Sequence, residues 1–222
     1  MGKTYPIITI TRQYGSWGRI VARELGKALG IPFYDDELLE MAAKESNFDP
    51  KLFERAENTN AANSFIYAIN RLGAGSTYNV PVSDQLFSAI SSVIRSIADT
   101  RPAVIVGRCA DYILRDYTRT VDIFVQAEPA VRAHRIMDLL KLNEQNAFNY
   151  IKKMDRSQAS YYNFYSDMKW DRLDHYDLVI NTTHLEMEQI SRILQLYVQE
   201  VLGDELTDAI AETLAKEQAG AK

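Results

Sequence analysis

The residues of this chain best suited to chemistry are arginines set beside glycines just after apolar runs. Arg12, Gly15, Ser16, Gly18 and Arg19 follow the run Ile7-Ile8-Thr9-Ile10, and Gly107 and Arg108 follow Pro102-Ala-Val-Ile-Val, with Asp111 three residues on. Arg132 and Arg135 come after the run Val121 to Val125 and Pro129, while Asp155 and Arg156 sit near the end of a later helical pattern. Guanidinium groups bind phosphate oxygens bidentately. A glycine turn from strand to helix aims several backbone N–H groups and the positive end of the helix dipole at one point. Both features suit a phosphorylated small molecule. Plain strand-to-helix connections also carry glycine, so the turn by itself leaves that reading open as well.

The turn is irregular when set against the phosphate-loop pattern G-x-x-x-x-G-K-[ST]. Arg12 falls at the first glycine, Trp17 at the second, Gly18 at the lysine and Arg19 at the hydroxyl. The usual loop needs that lysine to reach the β- and γ-phosphates and that hydroxyl to meet Mg²⁺. Here Arg12 and Arg19 are the candidates to supply the missing charge.

Asp35 and Asp36 end the short apolar segment Phe33-Tyr34. Acidic residues at the C-terminal end of a strand lie where open α/β sheets bind ligands, so Asp35 is placed to position Mg²⁺ or accept a proton from a substrate. Asp36 is expected to cap the helix that starts at Glu37. Arg108 leaves a buried strand through a glycine and must find an anion or water; a substrate phosphate and Asp111 are the two candidates, and spacing does not separate them.

Several elements must position these groups. Helical patterns begin near Arg19, ending at Gly30 with Pro32 beyond, and near Glu37; a longer one runs from Ser83 to Asp99 with Leu86, Ile90, Val93, Ile94 and Ile97 on one face. Residues 37 to 100, which include a segment at Lys51 to Glu57 and the loop from Gly73 to Pro81, read as a helical insertion able to move against a rigid sheet. Strands are expected at Pro102–Gly107, Val121–Val125 and Tyr176–Ile180; the first is apolar throughout, as a strand buried on both faces would be. The helix opened by Pro129 and the pattern from Leu142 to Ala159 carry Arg132, Arg135, Lys152, Lys153 and Arg156, so about 136 to 170 reads either as a lid over phosphates or as a solvated basic face. Tyr161-Tyr-Asn-Phe-Tyr165 and Trp170 are assigned to packing. Leu185 to Leu202 is expected as a helix, and the tail from Asp204, apolar at Leu206, Ile210 and Leu214, is expected to pack on the domain or on a second subunit as a homodimer contact.

The resulting order is strand, helix, strand, helical insertion, then strand and helix twice more, which predicts an α/β three-layer sandwich with a five-stranded parallel sheet. The chain has 222 residues, 46% of them hydrophobic and 25% charged, enough for one such domain with a core at about 5–36 and 101–202. A net charge of −5 argues against nucleic acid or an anionic membrane as partner and leaves room for a local anion pocket. No apolar run approaches a bilayer span, and the single cysteine, Cys109, excludes an internal disulfide, so a reducing compartment, the cytoplasm, is expected. His134, His175 and His184 lie apart without a further ligand at metal spacing, so no zinc site is expected.

Four stretches together resemble the cytidylate-kinase-like proteins, a divergent branch of the P-loop nucleoside monophosphate kinases: residues 8 to 19, Ile31-Pro-Phe-Tyr-Asp35, Val104-Ile-Val-Gly-Arg-Cys-Ala-Asp111 and Tyr176-Asp-Leu-Val-Ile-Asn-Thr182. The likeness covers about residues 5 to 200. It implies a P-loop fold and transfer of the γ-phosphoryl group of ATP, with Mg²⁺, to a small acceptor such as CMP. By the same resemblance Gly15, Ser16 and Gly18 match the phosphate loop, Asp35 an acidic residue facing the acceptor, Gly107 and Arg108 the pair that holds the acceptor phosphate, Arg132 and Arg135 the helix into the lid, and Asp155 and Arg156 its return. Trp17 and Gln158 depart from the pattern. They point to the other expectation, a nucleotide-binding module with weak or lost turnover that serves as a sensor or interaction protein.

Overall fold

The computed structural model describes residues 4–45 and 82–220. The elements in chain order are β1 (Ile7–Arg12), α1 (Gly18–Leu29), β2 (Phe33–Tyr34), α2 (Glu37–Glu45), α3 (Val82–Ala98), β3 (Ala103–Val106), the single-turn α4 (Ala110–Ile113), β4 (Thr120–Gln126), α5 (Pro129–Leu140), α6 (Glu144–Ser166), a 3₁₀ turn (Leu173–His175), β5 (Leu178–Asn181) and α7 (Met187–Gly220). The segment at Lys51 to Glu57 and the loop from Gly73 to Pro81 lie outside the described residues.

All five strands are parallel, in the order β2-β3-β1-β4-β5. The first strand thus becomes the central one, flanked by β3 and β4, with Ile8 level with Val104 on one side and Val121 on the other. Because side chains alternate along a strand, β1 feeds two separate cores. Ile7, with Ile105 and Phe124, packs against Leu38 of α2, Ile90 and Ile94 of α3 and Trp170. Ile8 and Ile10, with Val106, Ile123 and Val125, pack against Val21 and Leu25 of α1 and Ile190 and Leu194 of α7. A sheet buried on both faces has no solvent-facing side, which explains the mainly apolar strands; each fully buried Ile contributes roughly 1.5–3 kcal/mol.

Helix α1 enters through Trp17 and leaves through Gly30, both left-handed, and the Gly30 N–H closes the end on Lys27 O. The residue at position 26 must be small, because a Cβ there would stand 3.1 Å from Ile31 O and 3.3 Å from Phe33 Cβ. Hairpin α5–α6 has a small core of its own, made of Ala133, Ile136, Ala147 and Ile151. Helix α6 starts at an Asn143 cap on Asn146 N–H and runs to Ser166, so the aromatic stretch from Tyr161 continues it. Helix α7 breaks at Gly203 (φ 42°, ψ −123°). The tail beyond packs on its own domain through Leu206, an Arg119–Glu205 pair (3.1 Å) and Tyr5, whose hydroxyl donates to Glu212 (2.9 Å) and accepts from Lys216 (2.7 Å). Among the described residues no helix is long and apolar enough to cross a membrane.

Candidate active site

Parallel α/β sheets bind ligands beyond the carboxyl ends of their strands, where connections leave in opposite directions. Here that position lies beyond Arg12, between β3 and β4. The loop from Gln13 to Trp17 is held from behind. Asp155 Oδ1 accepts from Tyr14 N–H (2.8 Å), and its Oδ2 pairs with Arg132 Nη1 (2.6 Å). The same guanidinium donates to Tyr14 O and, through Nε, to Ala127 O, both at 3.1 Å. With a carboxylate and two carbonyls around it and almost no exposure, Arg132 is a brace that fixes the loop on α5. Gly15 (φ 79°) lies so close to α5 that a Cβ would stand 3.0 Å from Arg132 O. Ser16 is wholly buried, and its hydroxyl donates to Val125 O (3.0 Å).

Trp17 is left-handed (φ 69°, ψ 5°), a conformation that costs a non-glycine residue about 1–2 kcal/mol. What offsets it is packing. The Arg135 guanidinium carbon lies 3.4 Å from the centre of the Trp17 ring, and Arg135 also donates to Thr182 Oγ1 and Thr182 O, each at 3.0 Å, and to Gly15 O at 3.3 Å. Arg132 and Arg135 are three residues apart on one helix, yet only Arg135 lines the cleft.

The opposite wall is the turn after β3. Gly107, Arg108 and Cys109 take left-handed φ values of 64°, 60° and 57° in succession, which is strain of the kind that persists where surrounding structure over-determines it. The fixing contact is behind the turn, where Tyr162 OH donates to Asp111 Oδ2 at 2.5 Å and lies 3.1 Å from His175 Nε2. Asp111 therefore does not take Arg108. Arg108 instead meets Asp36 Oδ1 at 3.2 Å, and Arg19 spans Asp35 Oδ2 (2.8 Å, from Nε) and Asp36 Oδ2 (2.9 Å, from Nη2). The carboxylate expected to cap α2 is thus a bridge between two guanidiniums.

Burial and neighbouring charges shift the groups of this wall in different directions. Burial pushes the Arg108 guanidinium below its ordinary value, against the pull of Asp35 and Asp36. Burial would also lower Arg19, but the Asp35 and Asp36 carboxylates overcome it and raise that group. Burial and the neighbouring Asp35 charge raise the Asp36 carboxyl, although Arg108 and Arg19 pull it down. Burial likewise raises the Cys109 thiol, which leaves it a poor nucleophile.

Between these walls is a cleft of ≈ 390 Å³. Met154, Gln158, Tyr161 and Tyr162 line it from α6, a spacing of four, three and one that keeps them on one helix face. Arg156 is two residues beyond Met154, about 200° around the helix; it is exposed and does not line the cleft. Of the residues singled out by sequence, Arg12, Gly15, Gly18, Arg19, Asp35, Gly107, Arg108 and Arg135 come together in this lining, while Ser16, Asp111, Arg132, Asp155 and Arg156 do not. Asp36, Trp17, Gln158, Tyr161, Tyr162 and Trp170 join it. The aromatic residues assigned to packing serve both ends: Tyr162 and Trp170 belong to the buried core and also face the cleft. A signal was available in the four-three-one spacing from Met154, had the helix been extended past Ala159.

The model of the cytidylate kinase-like family matches residues 7–184. Cytidylate kinase of Pyrobaculum islandicum is 25% identical over 201 residues, 89% of this chain and 95% of the relative, and that of Pyrobaculum neutrophilum is 23% identical over 194 residues, 86% and 92% of the two chains. A solved structure, an uncharacterized protein from Eubacterium ventriosum, shares the fold with a TM-score of 0.64 at 24% identity, covering 87% of this chain and 98% of that one. With the strand order, the glycine turn and the arginine-lined cleft, this match places the chain in the cytidylate kinase-like family, a family of nucleotide-kinase-type phosphotransferases of the P-loop fold.

Proposed function

We propose that the protein transfers the γ-phosphoryl group of ATP to a small phosphorylated acceptor, a nucleoside monophosphate such as CMP. The observation that carries this reading is the charge of the cleft. Among the described residues its lining holds four guanidiniums, Arg12, Arg19, Arg108 and Arg135, against two carboxylates, Asp35 and Asp36, an excess of two positive charges in a chain of net charge −5. Phosphoryl transfer is chiefly positioning and charge stabilisation, so a polyanion-binding cleft between two braced loops is the apparatus it needs.

In this reading Gly15, Gly18, Arg12 and Arg135 receive the donor phosphates, and Arg108, beside Gly107, receives the acceptor phosphate. Arg132 and Asp155 hold the donor loop, and Asp111 holds the acceptor turn through Tyr162. Residues 37–100 serve the acceptor, and hairpin α5–α6 closes over the phosphates. Mg²⁺ takes one or two carboxylates together with substrate phosphates and keeps several waters; Asp35 and Asp36, the two carboxylates lining the cleft, are the groups that would hold it, and bound there it would neutralise charge on the transferring group. Asp35 also lies within reach of the acceptor side as a proton acceptor.

A second reading, a nucleotide-binding module with weak turnover, draws on Gln158. Its Oε1 accepts from Arg12 Nη1 at 3.3 Å, so at this position the lid supplies a neutral amide and no cation. Thermal shift against nucleoside mono-, di- and triphosphates with Mg²⁺, followed by ADP release with each stabilising acceptor, separates the two. Acceptor-dependent ADP release supports the kinase; stabilisation by ATP without release for any acceptor supports the module. Arg108→Ala should raise the acceptor KM at least tenfold, and unchanged acceptor affinity would refute the role given to Arg108.

A further inference from the structure

Gly18 stands where the usual phosphate loop has its lysine, and Arg12 where that loop has its first glycine. The two departures meet in space. A Cβ built on Gly18 would collide with Cβ and Cγ of Arg12, so the room a lysine stem would take is filled by the arginine stem. Farther out, a Cβ on Gly107 would stand 2.5 Å from Arg12 Nη1. The Arg12 side chain therefore runs from the end of β1, across the first residue of α1, to the turn that carries Arg108. Its head lies between the donor loop and the acceptor turn. The hydrogen bond it makes there is to the neutral Gln158 amide, whereas Arg19 and Arg108 face the carboxylates of Asp35 and Asp36.

We infer that Arg12 and Gly18 form a reciprocal exchange: the cation that meets the β- and γ-phosphates of the donor comes from the end of β1 in place of the start of α1, and position 18 is glycine to give it passage. Arg19, the other candidate for that charge, is drawn to the acceptor side by its two carboxylates. Gly18 is the first residue of a helix with no left-handed backbone to satisfy, so space and not conformation accounts for the glycine. The inference rests on the donor reading proposed above.

The exchange is tested by making each half and then both. Mg²⁺·ATP affinity is measured by calorimetry on the full chain, with circular dichroism as a check on folding, for the parent, Arg12→Gly, Gly18→Lys and the double variant. Arg12→Gly removes the cation, and Gly18→Lys crowds it, so each should lose about tenfold or more in affinity, the worth of one charge-assisted hydrogen bond. The double variant rebuilds the ordinary arrangement and should recover most of that loss. A double variant as weak as Arg12→Gly, or single variants that bind like the parent, overturns the exchange. Should Arg12→Gly fail to fold, Arg12→Met keeps the stem and removes the charge; it must still lose affinity while Arg12→Lys retains more, and equal binding by the two overturns the proposal. A parent chain that binds no nucleoside triphosphate refutes the donor reading itself, and the exchange with it.

Discussion

The guanidinium of Arg135 lies 3.4 Å from the centre of the Trp17 ring, joining α5 to a loop residue that is held left-handed against its own side chain. Magnitudes decide what that contact is for. The left-handed backbone costs about 1–2 kcal/mol, while a stacked guanidinium contributes about 0.5–2 kcal/mol and the partly buried indole a comparable amount more. Trp17→Gly should therefore relieve strain and still destabilise the fold by about 1 kcal/mol, read as a lower urea midpoint. A more stable Trp17→Gly would mean that the stack contributes nothing net.

Trp17 and Trp170 are the only tryptophans of the chain, and both line the cleft. Intrinsic fluorescence should accordingly change on adding ATP and on adding the acceptor separately. In Trp170→Phe the ATP response should persist and the acceptor response fade, since Trp17 belongs to the donor loop and Trp170 to the aromatic wall. Equal responses of both residues to each ligand would contradict that division.

Asp122 is a half-buried carboxyl with a clear pH signature. It lies beside β1, accepting from Thr9 Oγ1 at 2.5 Å, and burial foremost, with help from Asp111 and Asp177 and against the Thr9 bond, pushes it up to about 7. The native state thus binds this proton more tightly than the unfolded chain, whose aspartates titrate near ~3.9. The stability this proton confers is fully present below that value, is lost as pH rises toward 7, and stays lost above it. Asp122→Asn keeps the acceptor for Thr9 and removes the charge. Its advantage over the parent should grow by about 2–3 kcal/mol between pH 5 and pH 8, at about 1.4 kcal/mol for each pH unit up to the native titration point. Parallel stability curves for the two proteins would rule out Asp122 as the titrating group.

Tyr162 and Asp111 tie the lid-return helix to the turn that presents Arg108. Tyr162→Phe strips a buried carboxylate of its donor and should cost about 1–3 kcal/mol. Because the turn holds three left-handed residues, loosening it should raise the acceptor KM more than it lowers kcat. Asp111→Asn, which can still accept from Tyr162, should retain more of the acceptor affinity; loss of stability without any shift in KM would confine the pair to a folding role.

Arg156 gives the contrasting expectation. Exposed and on the far side of α6 from Met154 and Gln158, it can be replaced by alanine with stability within about 0.5 kcal/mol of the parent. Steady-state turnover for Arg156→Ala should match the parent; a large fall in kcat would mean that α6 rotates or moves before transfer.

Features governed by local periodicity and backbone geometry were readable from the chain alone. The buried strands were legible as mainly apolar runs because a sheet covered on both faces leaves little room for polar side chains, and the strand-glycine-helix turn at 12–19 and the Gly107-Arg108 turn were legible through Gly15 and Gly107, which take positive φ most readily. Family membership followed from those same stretches. Which charged group faces which emerged only on folding, since a pair such as Arg19–Asp36 joins residues 17 positions apart and Arg108–Asp36 joins residues 72 apart. Arg132 and Arg135 have the same type, helix and neighbourhood in sequence, yet one is consumed by two carbonyls and Asp155 while the other opens onto the cleft. The filling of the Gly18 space by Arg12 is of the same kind: the arginine stem occupies the volume a side chain six residues on would need, and only the approach of β1 to α1 brings the two positions together.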